Sequence, residues 1–436
     1  MTDAHVGRSG RRLTATVTDL EVDRQKAFLI GVLSPGGDSA DAERSLDELA
    51  LLTDTAGSDP IDSELVRRDR IDAATYIGSG KAAELAQLTT ALDIDVVVFD
   101  NPLTPAQQRN LQKVFHCDVV DREAVILDIF AENATSRQGA LQVELALYRY
   151  NLPRLRGKGA QLSQQAGGIG AKRGPGETKL ETDRRRIQAR ITRLTRELED
   201  MGRVTATQRK ARKRSALPHV ALVGYTNAGK STLLNQLTDA NVLTQDRLFS
   251  TLDSTVRKLD LPSGPPAVIS DTVGFVRRLP HHLVEAFRST LIEAREADLL
   301  LHVVDAADPD LSGQIAAVRE VLTEIEANRI PEHMVFNKID LLDQTTLIRI
   351  RNLYPDASFV SASTGEGLDE LVAAITTELE SQMTLLHLSV PYDRGDVVAS
   401  AHRLGEVVAE KHDEHGTLLD VRIPSHRTSE FADFTA

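Results

Sequence analysis

The sequence predicts an α/β protein of several units. Strands alternate with helices over 25–138 and again over 217–383, an apolar four-and-three repeat on a charged background lies between them, and a short α+β stretch follows. At 436 residues the chain exceeds what one hydrophobic core usually serves, which also calls for more than one domain.

Residues 1–24 read as a flexible N-terminus, polar and basic over 1–12. They lack the apolar stretch of about 7–15 residues that a secretory signal needs. No segment approaches the roughly 18 consecutive apolar residues of a membrane span. A cytoplasmic location is expected, with peripheral membrane contact left open. The single cysteine, Cys117, falls in a predicted strand and excludes an internal disulfide or a multi-cysteine metal site.

Apolar runs over 27–33, 70–77, 95–100 and 117–120 predict strands, and helical periodicity predicts helices over 42–52, 80–92, 105–114 and 122–131. Alternation of this kind implies a largely parallel sheet, so 25–138 reads as one small α/β domain.

The texture changes at 139–216. Leu141, Leu145 and Tyr148 recur at helical spacing, and Pro153 closes that helix. Between Gly157 and Gly176 seven of twenty residues are glycine and three are cationic, a composition that cannot build a core. Leu180, Ile187, Ile191, Leu194, Leu198 and Met201 then mark a coiled-coil seam among Arg and Glu. Two antiparallel helices with a basic, glycine-rich loop at their tip are expected.

The net charge of -13 hides an asymmetry at this hairpin, where residues 137–214 carry 20 Lys and Arg against 7 Asp and Glu. Clustered cations release counterions when they meet phosphates, which points to a polyanionic partner; from charge alone, a solvated helix fits equally well. The hairpin offers few aromatic platforms for single-strand RNA, so shape and phosphate contacts on structured RNA suit it better.

After the second α/β unit, strands over 385–390, 405–411 and 417–423 around a helix over 395–403 predict a small C-terminal α+β domain over 384–424, and 425–436 reads as a tail.

Four elements in the second α/β unit carry chemistry. The first is Gly224-Tyr225-Thr226-Asn227-Ala228-Gly229-Lys230-Ser231, placed between a buried strand and a helix. Strand, glycine turn and helix N-terminus together aim backbone N–H groups at phosphates, so this is a phosphate-binding P-loop. Lys230 is expected on the β- and γ-phosphates and Ser231 on Mg²⁺. The second is Asp271-Thr272-Val273-Gly274, which ends another buried strand and places a carboxylate near the metal's water shell and the Gly274 N–H near a γ-phosphate.

The third element is Asn337-Lys338-Ile339-Asp340, and Ser361-Ala362-Ser363 is the fourth. An aspartate accepts hydrogen bonds from guanine N1–H and its exocyclic amine, whereas adenine offers no such donor pair; discrimination of roughly 10⁴-fold follows. Ser361 and Ala362 would add a backbone contact to the guanine oxygen. The reading is therefore a P-loop GTPase domain that turns GTP into GDP and phosphate with Mg²⁺, and loss of the γ-phosphate frees the segment after Gly274. Phe275 stands where small GTPases place the glutamine that orients water, so slow intrinsic hydrolysis completed by a partner is expected.

These residues, with Phe249-Ser250-Thr251-Leu252-Asp253 and the long run from Gly167 to Arg186, resemble the HflX family of translation-related GTPases over roughly residues 25 to 390. The resemblance implies a ribosome-associated GTPase that binds the large subunit and its rRNA and separates stalled or idle ribosomes. It implies that Thr251 is the switch threonine meeting Mg²⁺ and γ-phosphate, although Thr255 lies in the same loop, and that Lys230, Thr251 and Gly274 serve hydrolysis. A free monomer is expected. Family members also associate with adenine nucleotides in the N-terminal domain, where Ile77-Gly78-Ser79-Gly80-Lys81 reads as either an ATP site or a tight turn opening a helix; Thr75 stands where a P-loop would need glycine. The competing reading is an RNA-modifying or regulatory protein carrying a GTPase module.

Overall fold

The computed structural model describes residues 24–155, 179–214, 217–238, 248–249, 255–263, 266–278 and 288–435. The lead-in before Arg24 and the glycine-rich loop over 157–176 lie outside the described residues.

The N-terminal unit runs β1 (Gln25–Leu33), α1 (Ser39–Thr55), β2 (Ser58–Arg67), α2 (Ser79–Ala91), β3 (Val96–Phe99), α3 (Pro105–Phe115), β4 (Asp118–Asp121) and α4 (Arg122–Asn133). Its sheet has the order β2-β1-β3-β4, and every pairing is parallel. The middle strands read as unbroken apolar runs because both faces are covered. Phe28, Ile30, Val97 and Phe99 pack on one side, while Leu29, Val96 and Val98 pack on the other.

Two expectations for this unit are corrected. Residues 70–77 form a turn in place of a strand: Asp72 accepts from the Ala74 and Thr75 amides at 2.9 and 2.7 Å, and Tyr76 takes φ +65°. The missing strand is β2, which carries Asp59, Pro60 and Asp62. Such residues argue against a central strand, but β2 is an edge, where an unpaired proline costs no ladder bond and charge deters a further strand.

Two helices follow, α5 (Arg137–Arg154) and α6 (Lys179–Arg214). They meet along the expected seam, with Leu145, Ile191 and Leu194 buried and Leu141, Tyr148, Ile187 and Leu198 packed around them. The Arg190 guanidinium grips Glu144 with two hydrogen bonds of 2.9 and 2.7 Å beside that seam.

The next unit comprises β5 (His219–Gly224), α7 (Lys230–Thr238), β6 (Val256–Leu259), β7 (Ala267–Asp271), α8 (Arg288–Arg295), β8 (Leu299–Asp305), α9 (Leu311–Glu324), β9 (Glu332–Asn337), α10 (Gln344–Leu353), β10 (Ser358–Phe359) and α11 (Leu368–Ser381). Its six-stranded sheet runs β10-β9-β8-β5-β7-β6, parallel except where β6 joins β7. The carboxyl ends of β5, β7, β8 and β9 therefore meet, and loops leaving such ends are where open α/β sheets bind ligands.

The last unit is β11 (Met383–Pro391), α12 (Gly395–Leu404), β12 (Glu406–His412) and β13 (Gly416–Pro424), an antiparallel sheet in the order β11-β13-β12. The expected tail is a 3-10 helix, Ser425–Phe434. Phe431, 2 % exposed, completes the core made by Leu388, Val390, Val421 and Ile423, so this segment belongs to the fold. Among the described residues no helix is long and apolar enough to cross a membrane.

Candidate functional site

The phosphate loop leaves β5 at Gly224 and enters α7 at Lys230. Glycine is required at both ends. Gly224 takes φ +154°, and a Cβ there would lie 2.2 Å from the Val303 carbonyl oxygen; Gly229 takes φ +89°, and its Cβ would lie 2.2 Å from Asn337 Nδ2. Asn227 adds a third positive φ, +59°, so the loop curls its amides inward.

Lys230 is buried, and its ammonium donates to the Gly224 and Tyr225 carbonyls at 3.1 and 2.7 Å. Burial pushes its pKa down to about 8 against the pull of the Asp271 carboxylate. Ser231 Oγ donates to Asp271 Oδ2 at 2.6 Å, bringing together two hard oxygens of the kind that hold Mg²⁺. Thr272 Oγ1 donates to the Leu222 carbonyl at 2.7 Å and pins the start of the Asp271–Gly274 turn to β5.

Asn337 ties three of the four motifs together. Its Nδ2 donates to the Ala228 carbonyl at 2.9 Å, and its Oδ1 accepts from the Ala362 amide at 2.9 Å. Lys338 takes φ +63° and its ammonium pairs with Asp305 at 2.7 Å. That turn leaves Asp340 exposed at the rim, where its carboxylate accepts from Ser363 Oγ at 3.3 Å; Ser361 Oγ and Ser363 Oγ are 3.0 Å apart. Ile339 points inward and packs with Phe336 and Ile350, so its part is to anchor the turn.

The remaining residues singled out in the sequence fall differently. Ser250, Thr251, Leu252 and Asp253 lie outside the described residues. Phe249, read as part of the same nucleotide-contacting loop, is 2 % exposed and turned into an apolar cluster with Phe130 of α4. Val273 and Phe275 are buried in the same cluster. Phe275 therefore does not orient a water molecule. At Ile77–Lys81 the Lys81 ammonium is paired with Glu64 and Glu84 at 3.0 and 2.8 Å, and the Arg68 guanidinium lies against Gly78. Burial raises the Cys117 thiol to about 11, as expected of a packing residue.

Several residues that belong to none of the motifs are linked to the site through the Tyr225 side chain. Tyr225 Oη accepts from the Arg277 amide at 2.7 Å and donates to Glu48 Oε1 at 2.5 Å. Glu48 in turn pairs with Arg122, and Asp100 with both Arg122 and Arg278. The only local cue was Arg277-Arg278 beside the Asp271–Gly274 turn; their partners lie far away in sequence.

Comparison with known proteins gives the family. Family models for a GTP-binding GTPase N-terminal region, a GTP-binding GTPase middle region and a 50S ribosome-binding GTPase match residues 43–131, 133–212 and 219–338 respectively. GTPase HflX of Lacrimispora saccharolytica is 44 % identical over 416 residues, covering 95 % of this chain and 97 % of the relative. The chain is a member of the HflX GTPase family. The HflX GTPase of Escherichia coli is 42 % identical over 382 residues, 87 % of this chain and 89 % of its own length. Among solved structures, a GTP-binding protein of Sulfolobus solfataricus in complex with GDP aligns over 81 % of this chain and 98 % of its own, at 23 % identity and a TM-score of 0.41. As an HflX GTPase the chain binds GTP and hydrolyses it.

Proposed function

We propose that this HflX GTPase binds the large ribosomal subunit through its basic hairpin and separates stalled or idle ribosomes into subunits under control of GTP. The observation that carries the reading is the union of two matches in one chain: a 50S ribosome-binding GTPase at residues 219–338 and, beside it, a middle region at 133–212 that coincides with the cationic helical pair. A nucleotide switch next to a segment, 137–214, whose sequence holds 20 Lys and Arg against 7 Asp and Glu suits control of an RNA contact.

Within the site, Ser231 would hold Mg²⁺ directly and Asp271 through its water shell, and Thr251 would be the further ligand. The chemistry such an ion would supply there is neutralisation of phosphate charge. Lys230 neutralises the same charge from the protein side, and the Gly274 N–H orients the γ-phosphate. Asp340 selects guanine, with Ser361, Ala362 and Ser363 shaping the rim. The buried Phe275 leaves no side chain at that position to orient the attacking water, so a partner group supplies it, an effect worth about 10³–10⁵-fold in such enzymes. An ATP site at 77–81 has only its sequence in support; the ion pairs of Lys81 favour the turn.

Sedimentation of ribosomes with the protein and a nonhydrolysable GTP analogue tests the reading. Co-migration with large subunits and loss of intact ribosomes is the expected result. Unchanged ribosomes with the protein left at the top of the gradient would overturn it.

A further inference from the structure

The turn after Asp271 is folded down onto the phosphate loop. The Thr226 amide of that loop donates to the Phe275 carbonyl at 2.8 Å, and the Phe275 amide donates to the Gly224 carbonyl at 3.1 Å. Gly274 sits so close that a Cβ on it would lie 2.8 Å from Thr226 Cγ2 and 3.1 Å from Lys230 Nζ. A γ-phosphate needs the ground between that ammonium and the Gly274 amide, and a diphosphate does not.

What holds the turn down comes from the N-terminal unit. Tyr225 Oη takes the Arg277 amide at 2.7 Å and donates to Glu48 on α1 at 2.5 Å. Glu48 is held by Arg122 at 2.6 Å, Arg122 by Asp100 at 2.8 Å, and Asp100 reaches back to Arg278 at 2.9 Å. The Arg277 side chain pairs with Asp41 and Asp310. The Arg122 and Asp100 side chains are 5 % and 4 % exposed and Glu48 11 %, so these bonds act where water screens them little.

We propose that Glu48, acting through Tyr225, is a positioning residue that keeps the 275–278 segment on the phosphate loop and thereby biases the site toward GDP over GTP. The two positions of the turn exclude each other, so the bias is a coupling between γ-phosphate binding and docking of α1. By reciprocity GTP loosens that docking to the same degree. Breaking the latch removes an opposing force on GTP alone.

The test is the ratio of affinities of the full chain for a nonhydrolysable GTP analogue and for GDP, measured by titration calorimetry with Mg²⁺. Tyr225→Phe keeps the ring and removes the bridge; Glu48→Gln keeps the shape and removes the charge. Each is expected to raise the ratio in favour of the triphosphate by about 5- to 20-fold, within the range of such couplings. The double variant should exceed the larger single effect little, because both act on one latch. Equal loss of both affinities, an unchanged ratio, or fully additive effects would overturn the proposal. Should Tyr225→Phe fail to fold, Glu48→Gln decides alone.

Discussion

The ring of Phe249 meets the ring of Phe130 edge-on, with centroids 4.5 Å apart and planes at 66°. One residue lies at the head of the Phe249–Asp253 motif, the other on α4, so the loop expected to sense the γ-phosphate begins against the N-terminal unit. Both side chains are at most 2 % exposed, in an apolar cluster that also takes in Tyr225, Val273 and Phe275.

Because that cluster joins two sheets, Phe130→Ala is expected to destabilise the protein by about 3–5 kcal/mol. Calorimetry of the variant beside the unsubstituted chain should show the N-terminal unit melting at a lower temperature. A shift of less than about 1 kcal/mol would mean the two rings contribute little to holding the units together.

The buried Lys230 predicts a pH dependence of binding. Its pKa is lowered from 10.5 to about 8, so between those values the unfolded chain holds more protons and the nucleotide-free protein gains stability as pH rises. Phosphate favours the charged ammonium, so GDP affinity should be level below pH 8 and fall about tenfold per unit above it. Titrations in buffers of differing ionisation heat should record proton uptake on binding above that pH.

Asp340→Asn replaces an acceptor by a group that also presents a donor to guanine N1–H. Discrimination against adenine nucleotides, roughly 10⁴-fold when such a bond is made, should collapse. Competition between GTP and ATP measures it, and Lys230→Ala serves as the contrast, weakening both nucleotides without altering the choice of base.

Large-subunit binding should fall by about 10³–10⁵ between 50 and 200 mM salt if six to ten phosphates are contacted. Deleting 157–176 should abolish ribosome separation while GDP affinity stays within twofold or so of the intact chain, since the seam of Leu145, Ile191 and Leu194 remains to pair α5 with α6. A shallow salt slope would place the contact on protein surfaces.

By itself the sequence determined the ligand, the parallel sheets and the helical pair. The signals there are local: Gly224 and Gly229 stand where backbone must take positive φ, Asn337 closes a buried strand, and the Leu141–Leu145 and Ile187–Leu194 spacings repeat within one helix each. Strand β2 was hidden because an edge tolerates the proline and aspartates that a central strand excludes, and 425–434 because only Phe431 and Phe434 mark its packing. Only the tertiary structure decided that Phe249 faces Phe130 and that Tyr225 reaches Glu48, 177 positions away. A hydrogen bond across that separation leaves no period in the chain; it exists because two sheets, each specified locally, pack with α1 and α4 against the turn that a γ-phosphate would move.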